Sequence, residues 1–262
     1  MNKQNDWFTI EKINNSTIAI SEYDHYEETH SYLLIGNCRS LLIDTGLGIA
    51  NIHDIIENYV DCNELDVIST HAHWDHIGGH RYFKNRFVHK NEKLWLVNKF
   101  PLTKEMIDRN FEDKCFKKGK PEWFNIEEYK VFNCDDINEV DDGYKFELGN
   151  RTVECIFTPG HSPGHMCLLD KTNGLLFAGD NIYYGTIFLN YPTTDPVAYY
   201  NSMQKIIKLK NEFNIILPAH YKLEIEKDVI DELKTLLEEV KKNRNLKHGS
   251  GIIKGERIFL NL

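Results

Sequence analysis

The sequence of 262 residues predicts an α/β fold made of two similar halves stacked as a sandwich. Two blocks of short apolar β-type segments each lead into a helical pattern and then a further strand. Between them, residues 90–130 are charged and aromatic, with helical periodicity and no obvious strand. These observations favour one domain over residues 1–262 with a helical insertion at about 90–130, since a chain of this length can bury one large core.

The first block predicts antiparallel strands followed by a β-α-β step. Gly36 and Asn37 suit a hairpin turn between two apolar runs. Isoleucines recur at helical spacing over residues 49–60, after Gly46 and Gly48 interrupt the preceding strand. We expect the strands at residues 16–20, 31–35, 40–43 and 65–69.

The second block predicts further strands and two longer helices. Thr194 or Asp195 is expected to cap a helix whose first turn contains Pro196. Residues 229–240 repeat apolar side chains at the spacing of an amphipathic helix. Shorter helices are expected in the insertion, around 94–97 and 105–111. We expect the strands at residues 144–148, 152–157, 166–169, 175–178 and 214–217.

Charge and targeting signals restrict the partners and the compartment. With 40 acidic and 31 basic residues the net charge is -9, which disfavours nucleic acid and anionic lipid as partners. The polar N-terminus lacks a signal-peptide pattern, and no apolar run reaches the roughly 18 residues of a membrane span. The six cysteines form no C-x-x-C pair, so neither a zinc ribbon nor a disulfide framework is expected. We therefore expect a cytoplasmic protein without membrane association.

Four of the twelve histidines fall within residues 71–80, directly after a predicted strand. His71 and His73 are two residues apart in extended chain, so their side chains point the same way and can chelate one cation. Asp75 and His76 follow where the chain turns into a helix, which aims them differently and suits a second cation. This run therefore predicts a metal centre.

Three further polar residues follow apolar strands in the second block. His161 comes after Thr158-Pro159-Gly160, Asp180 after Phe177-Ala178-Gly179, and His220 after Leu217-Pro218-Ala219. A single histidine or aspartate at a strand end is often a turn former or a hydrogen-bonded support. Their occurrence together with the first run favours a shared metal site.

Together with Asp44 in Leu42-Ile43-Asp44-Thr45-Gly46, these motifs resemble those of the metallo-β-lactamase-fold hydrolases, including the glyoxalase II and lactonase-like enzymes. The resemblance covers about residues 33–220 and implies a four-layer αββα sandwich with the site at one edge of its two sheets. It also implies that Asp44 orients the site without ligating. The implied ligands are His71, His73 and His161 for one metal, Asp75, His76 and His220 for the other, and Asp180 bridging both.

A site of this kind implies hydrolysis by a hydroxide that bridges two divalent cations. Such a pair lowers the pKa of a shared water toward about 7 and polarises a carbonyl. Zinc is the expected metal for a mixed imidazole and carboxylate set, although iron, manganese and cobalt accept the same ligand types. Asp75 is the candidate for positioning the bridging water or relaying its proton.

Other residues near the motifs are candidates for substrate contact or support. Tyr183 lies three residues after Asp180, as does a tyrosine that reaches the substrate carbonyl in the acyl-homoserine-lactone lactonases that the chain resembles; the alternative is a packed aromatic. His165 and His80 are expected to be hydrogen-bonded supports. The aromatic-rich insertion is expected to cover the substrate or to form the contact of a homodimer.

The predicted function is a dinuclear-metal hydrolase of a small ester, thioester or lactone. The alternative is a non-haem iron oxidoreductase of dioxygenase or diiron type on the same fold. A β-lactamase is disfavoured because the zinc β-lactamases that resemble this family have Cys or Ser where this chain has Asp180. The expected partner is a small-molecule substrate. Elemental analysis would separate the hydrolase class from the iron oxidoreductase class.

Overall fold

The computed structural model describes residues 5–97 and 100–262, which divide into two compact units. Residues 1–4 of the polar N-terminus and residues 98 and 99 of the predicted insertion lie outside the described residues. The first unit comprises Met1–Val88, Lys93–Val140 and Leu148–Asn150. The second comprises His89–Glu92, Asp141–Glu147 and Arg151–Leu262.

A seven-stranded sheet forms the centre of the first unit, with its strands in chain order from one edge to the other. The first four strands pair antiparallel, whereas the fourth, fifth and sixth run parallel. The expected antiparallel strands and the β-α-β step are therefore confirmed. The strands are β1 (Thr9–Asn14), β2 (Thr17–Ser21), β3 (His30–Ile35), β4 (Ser40–Ile43), β5 (Leu65–Ile68), β6 (Arg86–His89) and β7 (Asn138–Val140).

The helices of the first unit are short. Between β4 and β5, the helix expected over residues 49–60 is one turn, α1 (His53–Ile56), which begins after Ile52 without a side-chain cap. The histidine run enters α2 (Trp74–Ile77), and the insertion contains α3 (Lys93–Val97) and α4 (Lys104–Asp108), joined to turns. Apolar side chains of these helices, including Ile56 and Ile107, are buried, so packing rather than helix length stabilises them.

The second unit contains a six-stranded and a three-stranded sheet. The larger sheet has the order β14-β13-β11-β10-β9-β8, and the smaller has the order β12-β16-β15. The strands are β8 (Lys145–Glu147), β9 (Thr152–Phe157), β10 (Met166–Asp170), β11 (Leu175–Gly179), β12 (Gly185–Phe188), β13 (Ile215–Pro218), β14 (Ile225–Glu226), β15 (Ile252–Lys254) and β16 (Ile258–Asn261).

Two longer helices, α5 (Pro196–Lys208) and α6 (Val229–Lys242), pack in the core of the second unit. The Asp195 side chain accepts from the backbone N–H groups of Val197 and Ala198, which confirms the expected cap of α5. The buried residues of α6 repeat every three or four positions, as its sequence pattern predicts. Among the described residues, no helix is long and apolar enough to cross a membrane.

Leu233 tests this core because its α6 side chain is fully buried. Leu233→Ala should lower the free energy of unfolding by about 2–5 kcal/mol, since the removed methyl groups leave a cavity. The neighbouring Lys234 is exposed, so Lys234→Ala should change it by less than about 0.5 kcal/mol. Urea unfolding measures both, and equal effects of the two substitutions would contradict the burial of this helix face.

Candidate metal centre

In the first unit, four predicted ligands lie within residues 71–76, a short distance after the end of β5. His71 lies at a bend and His73 in extended chain, with 2.8 Å between His71 Nε2 and His73 Nδ1. Asp75 and His76 lie in α2, with 3.6 Å between Asp75 Oδ2 and His76 Nε2. The turn from extended chain to helix therefore gives two closely spaced pairs of ligand-type atoms, as the sequence predicts.

Asp44 holds the second of these pairs from the end of β4. Its carboxylate accepts from Thr70 N at 2.7 Å, from Thr70 Oγ1 at 2.8 Å and from His76 Nδ1 at 3.0 Å. Because Nδ1 of His76 is engaged in this way, the neutral ring presents Nε2 as an acceptor. Asp44 lies at φ +58°, a left-handed backbone conformation that is uncommon outside glycine.

His80 is the last histidine of the run and is held by hydrogen bonds on both sides of its ring. His80 is buried between the hydroxyls of Thr45 and Ser69, each 2.6 Å from one of its ring nitrogens. Burial, followed by the charge of Arg86, lowers the pKa of His80 to about 3, so its ring stays neutral at pH 7. His80 is thus a hydrogen-bonded support, as its sequence context suggests.

Trp95 in α3 stacks on the His73 ring, with 5.6 Å between ring centroids and 9° between the planes. This contact restricts the orientation of the His73 ring. The sequence assigns Trp95 only to the insertion, and its spacing gives no signal of a contact with His73. At least part of the insertion therefore packs against a candidate ligand.

In the second unit, Asp180 lies between two histidines. Asp180 Oδ2 is 3.4 Å from His161 Nε2, and Asp180 Oδ1 is 3.2 Å from His220 Nε2. His161 Nδ1 lies 3.2 Å from the carbonyl oxygen of Phe188, a contact that places the ring proton on Nδ1 and leaves Nε2 as the ligand-type atom. The three strand-end residues of the second block are therefore close together.

His165 supports the backbone of Asp180. Its Nε2 accepts from the backbone N–H of Asp180 at 3.1 Å, so the ring proton lies on Nδ1, which is 3.2 Å from the hydroxyl oxygen of Thr158. Both ring nitrogens are thus used within the protein, and the ring is fully buried. This geometry agrees with the expectation that His165 is a support.

Glu92 and Gly160 shape the loop that contains His161. The fully buried Glu92 carboxylate accepts from Ser162 Oγ at 2.6 Å and from Gly164 N at 2.5 Å. Gly160 has φ +142°, and a Cβ atom there would lie 2.4 Å from Tyr199 Cα, so only glycine fits. Glu92 belongs to no recognisable motif, so the sequence gives no signal for its role.

Tyr183 is buried, with its ring 5.9 Å from the His220 ring between centroids. Its hydroxyl donates to the carbonyl oxygen of Thr186. The residue therefore lies beside a candidate ligand, and its hydroxyl is directed to the backbone. Its catalytic role stays a prediction.

The donor atoms suit a divalent cation in both type and spacing. In a tetrahedral zinc site with bonds of about 2.0–2.1 Å, adjacent ligand atoms lie about 3.3 Å apart. The imidazole and carboxylate pairs within each unit lie 3.2–3.6 Å apart, and His71 and His73 approach more closely. Each unit therefore presents pairs of imidazole and carboxylate atoms at about the spacing of two ligands of one metal ion.

Glu22 is a buried acid of the first unit that the sequence does not indicate. It accepts from Trp7 Nε1 at 2.7 Å, from Thr29 Oγ1 at 2.9 Å and from Leu47 N at 2.8 Å. Burial raises the pKa of Glu22 to about 7 even though these hydrogen bonds favour the charged form. Its bond to Leu47 holds the loop that follows Asp44.

The α/β fold, with imidazole and carboxylate groups close together after its strands, is typical of metal-binding proteins. The family model described as the metallo-beta-lactamase superfamily matches residues 27–220. The chain therefore belongs to the metallo-beta-lactamase superfamily, and the fold class predicted from its motifs is confirmed.

Similar proteins include an acyl-coenzyme A thioesterase, MBLAC2, of Gallus gallus, 25% identical over 232 residues, 83% of this chain and 82% of that protein. An atrochrysone carboxyl ACP thioesterase of Aspergillus chevalieri is 29% identical over 157 residues, 59% of this chain and 40% of that protein. The solved structure of the archaeal superfamily protein ST1585 from Sulfolobus tokodaii has a TM-score of 0.62 and 24% identity, covering 86% of this chain and 87% of that one.

The raised pKa of Glu22 predicts a pH dependence of stability. The folded protein binds the Glu22 proton up to about pH 7, whereas the unfolded chain loses it near the ordinary glutamate pKa of 4.5. The free energy of unfolding should therefore fall as pH rises between these values, by about 3 kcal/mol at most.

Urea unfolding from pH 4.5 to 8 measures this loss. Glu22→Gln removes the titrating group. The free energy of unfolding of the variant should therefore rise relative to that of the wild type as pH rises. Glu122 is exposed in the same unit, and Glu122→Gln should follow the wild-type curve. Parallel curves for wild type and Glu22→Gln would contradict the raised pKa.

Proposed function

We propose that this protein is a metal-dependent hydrolase of thioesters. The observation that carries the proposal is the grouping of imidazole and carboxylate atoms after the strands of each unit, in a chain of the metallo-beta-lactamase superfamily. The names of two relatives, an acyl-coenzyme A thioesterase and a carboxyl ACP thioesterase, support a thioester as the bond cleaved. The substrate is then a small molecule or an acyl group on a small carrier.

We further propose that residues 1–262 act as a single metallo-β-lactamase-like domain that binds two cations. One cation is assigned to three histidines and the other to an aspartate and two histidines, with Asp180 shared by both. When bound, the cations make water nucleophilic at neutral pH and polarise the substrate carbonyl. Zinc is the proposed metal because the donors are imidazole and carboxylate. The assigned ligands are His71, His73 and His161, then Asp75, His76 and His220.

The protein's own groups orient these ligands. Asp44 and the Phe188 carbonyl fix the Nδ1 atoms of His76 and His161, so that Nε2 of each ring is available for ligation. Asp75 is proposed to relay a proton during hydrolysis, since its carboxylate lies beside a ligand atom of His76. Tyr183 can assist the substrate carbonyl only if its hydroxyl leaves the Thr186 carbonyl.

The partners and location follow the same proposal. The net charge of -9 disfavours polyanionic partners such as nucleic acid. A cytoplasmic location and a homodimer stay predictions from the sequence. Sedimentation analysis of the purified protein would decide the oligomeric state.

Metal content tests the dinuclear assignment. Metal-replete wild type should contain two equivalents of zinc, and His220→Ala should retain about one because it loses a ligand of one cation only. His53, a partly exposed histidine in α1, supplies the control, and His53→Ala should retain two. Elemental analysis after dialysis gives the ratio, and one equivalent or less in replete wild type would disprove a dinuclear site.

Turnover tests the reaction class. Wild type should hydrolyse an acyl thioester faster than a homoserine lactone or an aryl ester and lose activity on chelation, and Asp180→Asn should lower kcat/KM by roughly two orders of magnitude. His53→Ala should remain close to wild type. One equivalent of iron, oxygen uptake and no hydrolysis would instead favour the oxidoreductase class.

A further inference from the structure

In the second unit, the segment of residues 188–195 is attached at both ends to the loop that contains His161. The Phe188 carbonyl lies 3.2 Å from His161 Nδ1, and Asp195 N donates to the Gly160 carbonyl at 2.7 Å. The segment therefore begins and ends beside the loop that contains a candidate ligand. This proximity is set by the backbone and does not depend on the side chains themselves.

Two large aromatic side chains of this segment are exposed. Phe188 is 36% exposed and Tyr191 is 52% exposed, with 6.0 Å between their ring centroids. Successive residues of a strand point to opposite faces, and Ile187 of β12 is buried in the core, so Phe188 faces away from that core. The pair forms an apolar surface on the outside of the unit.

The segment is held in shape by hydrogen bonds. Thr194 donates from its backbone N–H and from its hydroxyl to the Tyr191 carbonyl, at 3.0 and 2.8 Å. Leu189 is buried, and its N–H donates to the backbone carbonyl of Asn261 in β16. The aromatic pair is therefore presented by a backbone that is already ordered, which reduces the entropy lost when a ligand binds.

The composition of this region indicates what the surface would accept. Residues 181–194 contain no charged side chain, although 27% of the chain is charged and an average stretch of this length would hold about four charges. A phosphate or carboxylate would find no cation in this stretch. A hydrocarbon chain would find two aromatic faces, which bind apolar groups well.

We propose that Phe188 and Tyr191 form the surface that binds the hydrocarbon chain of the acyl group and so determine acyl-chain selectivity. This assignment rests on the proposed thioesterase function. The acyl chain then lies on the Phe188–Tyr191 surface while the thioester carbonyl lies at the candidate metal centre. Longer chains gain affinity because each further methylene removed from water contributes to binding.

The test uses the metal-replete full chain and a series of acyl-coenzyme A thioesters with 4 to 16 carbons. The ratio of kcat/KM for long chains to that for short chains should fall about tenfold in Phe188→Ala with Tyr191→Ala, since two apolar contacts are lost. Phe188→Leu should retain most of the wild-type ratio because it keeps an apolar side chain. The bound metal should stay at the wild-type level, since the contact to His161 comes from the backbone carbonyl.

Tyr144, an exposed tyrosine of the second unit, supplies a matched control, and Tyr144→Ala should keep the wild-type ratio. Equal losses for all chain lengths, or an unchanged ratio in the double variant, would reject the acyl-chain surface while leaving the thioesterase function intact. A shift from dimer to monomer in the double variant would reject it too, because the surface would then be a contact between two copies. No turnover of any thioester by wild type would reject the proposed function and this assignment together.

Discussion

The first unit depends on one buried carboxylate, that of Asp44. It accepts two hydrogen bonds from Thr70 and a contact from His76, so it joins the end of β4 to the chain after β5 and to α2. Burying a charged carboxylate is costly unless donors surround it, and here the donors are the residues that place the histidine run. The Asp44 carboxylate therefore fixes both the loop geometry and the ring orientation of His76. Glu22 reinforces it by holding the adjacent Leu47 backbone.

Buried neutral histidines provide a second kind of support. His80 bridges two hydroxyls in the first unit, and His165 holds the backbone of Asp180 in the second. In each case both ring nitrogens contact protein atoms, whereas His76 and His161 each use Nδ1 for support and direct Nε2 toward a carboxylate. For these four residues, the use of the second ring nitrogen distinguishes a support from a candidate ligand. The histidines of this chain therefore include both supports and candidate ligands.

The predictability of the secondary structure varied with the strength of the local pattern. The strands β4 and β9 and the helices α5 and α6 were predicted closely, because continuous apolar runs, a capping aspartate or a helical repeat identify them. The strands β1, β6, β7, β12, β14, β15 and β16 were not predicted. Several of these are two to four residues long or lie at a sheet edge, where a strand needs little apolar alternation of its own. The helix expected over residues 49–60 is only one turn long, and most of the remaining residues form turns or bends. Its isoleucines are nevertheless buried, because burial there comes from packing and needs no longer helix.

The sequence by itself determined the superfamily, the fold class and the candidate ligands, because these depend on residue type and on short spacings such as His71-x-His73 after a strand. It also indicated that His80 and His165 are supports. Only the tertiary structure identified Glu22, Glu92, Trp95 and the Phe188 carbonyl as neighbours of that site or of its loops. These contacts join residues far apart in the chain: the two glutamates act through buried carboxylates, Trp95 through its ring and Phe188 through its backbone carbonyl. Such contacts arise only when strands and loops pack together, so no local pattern of residues encodes them.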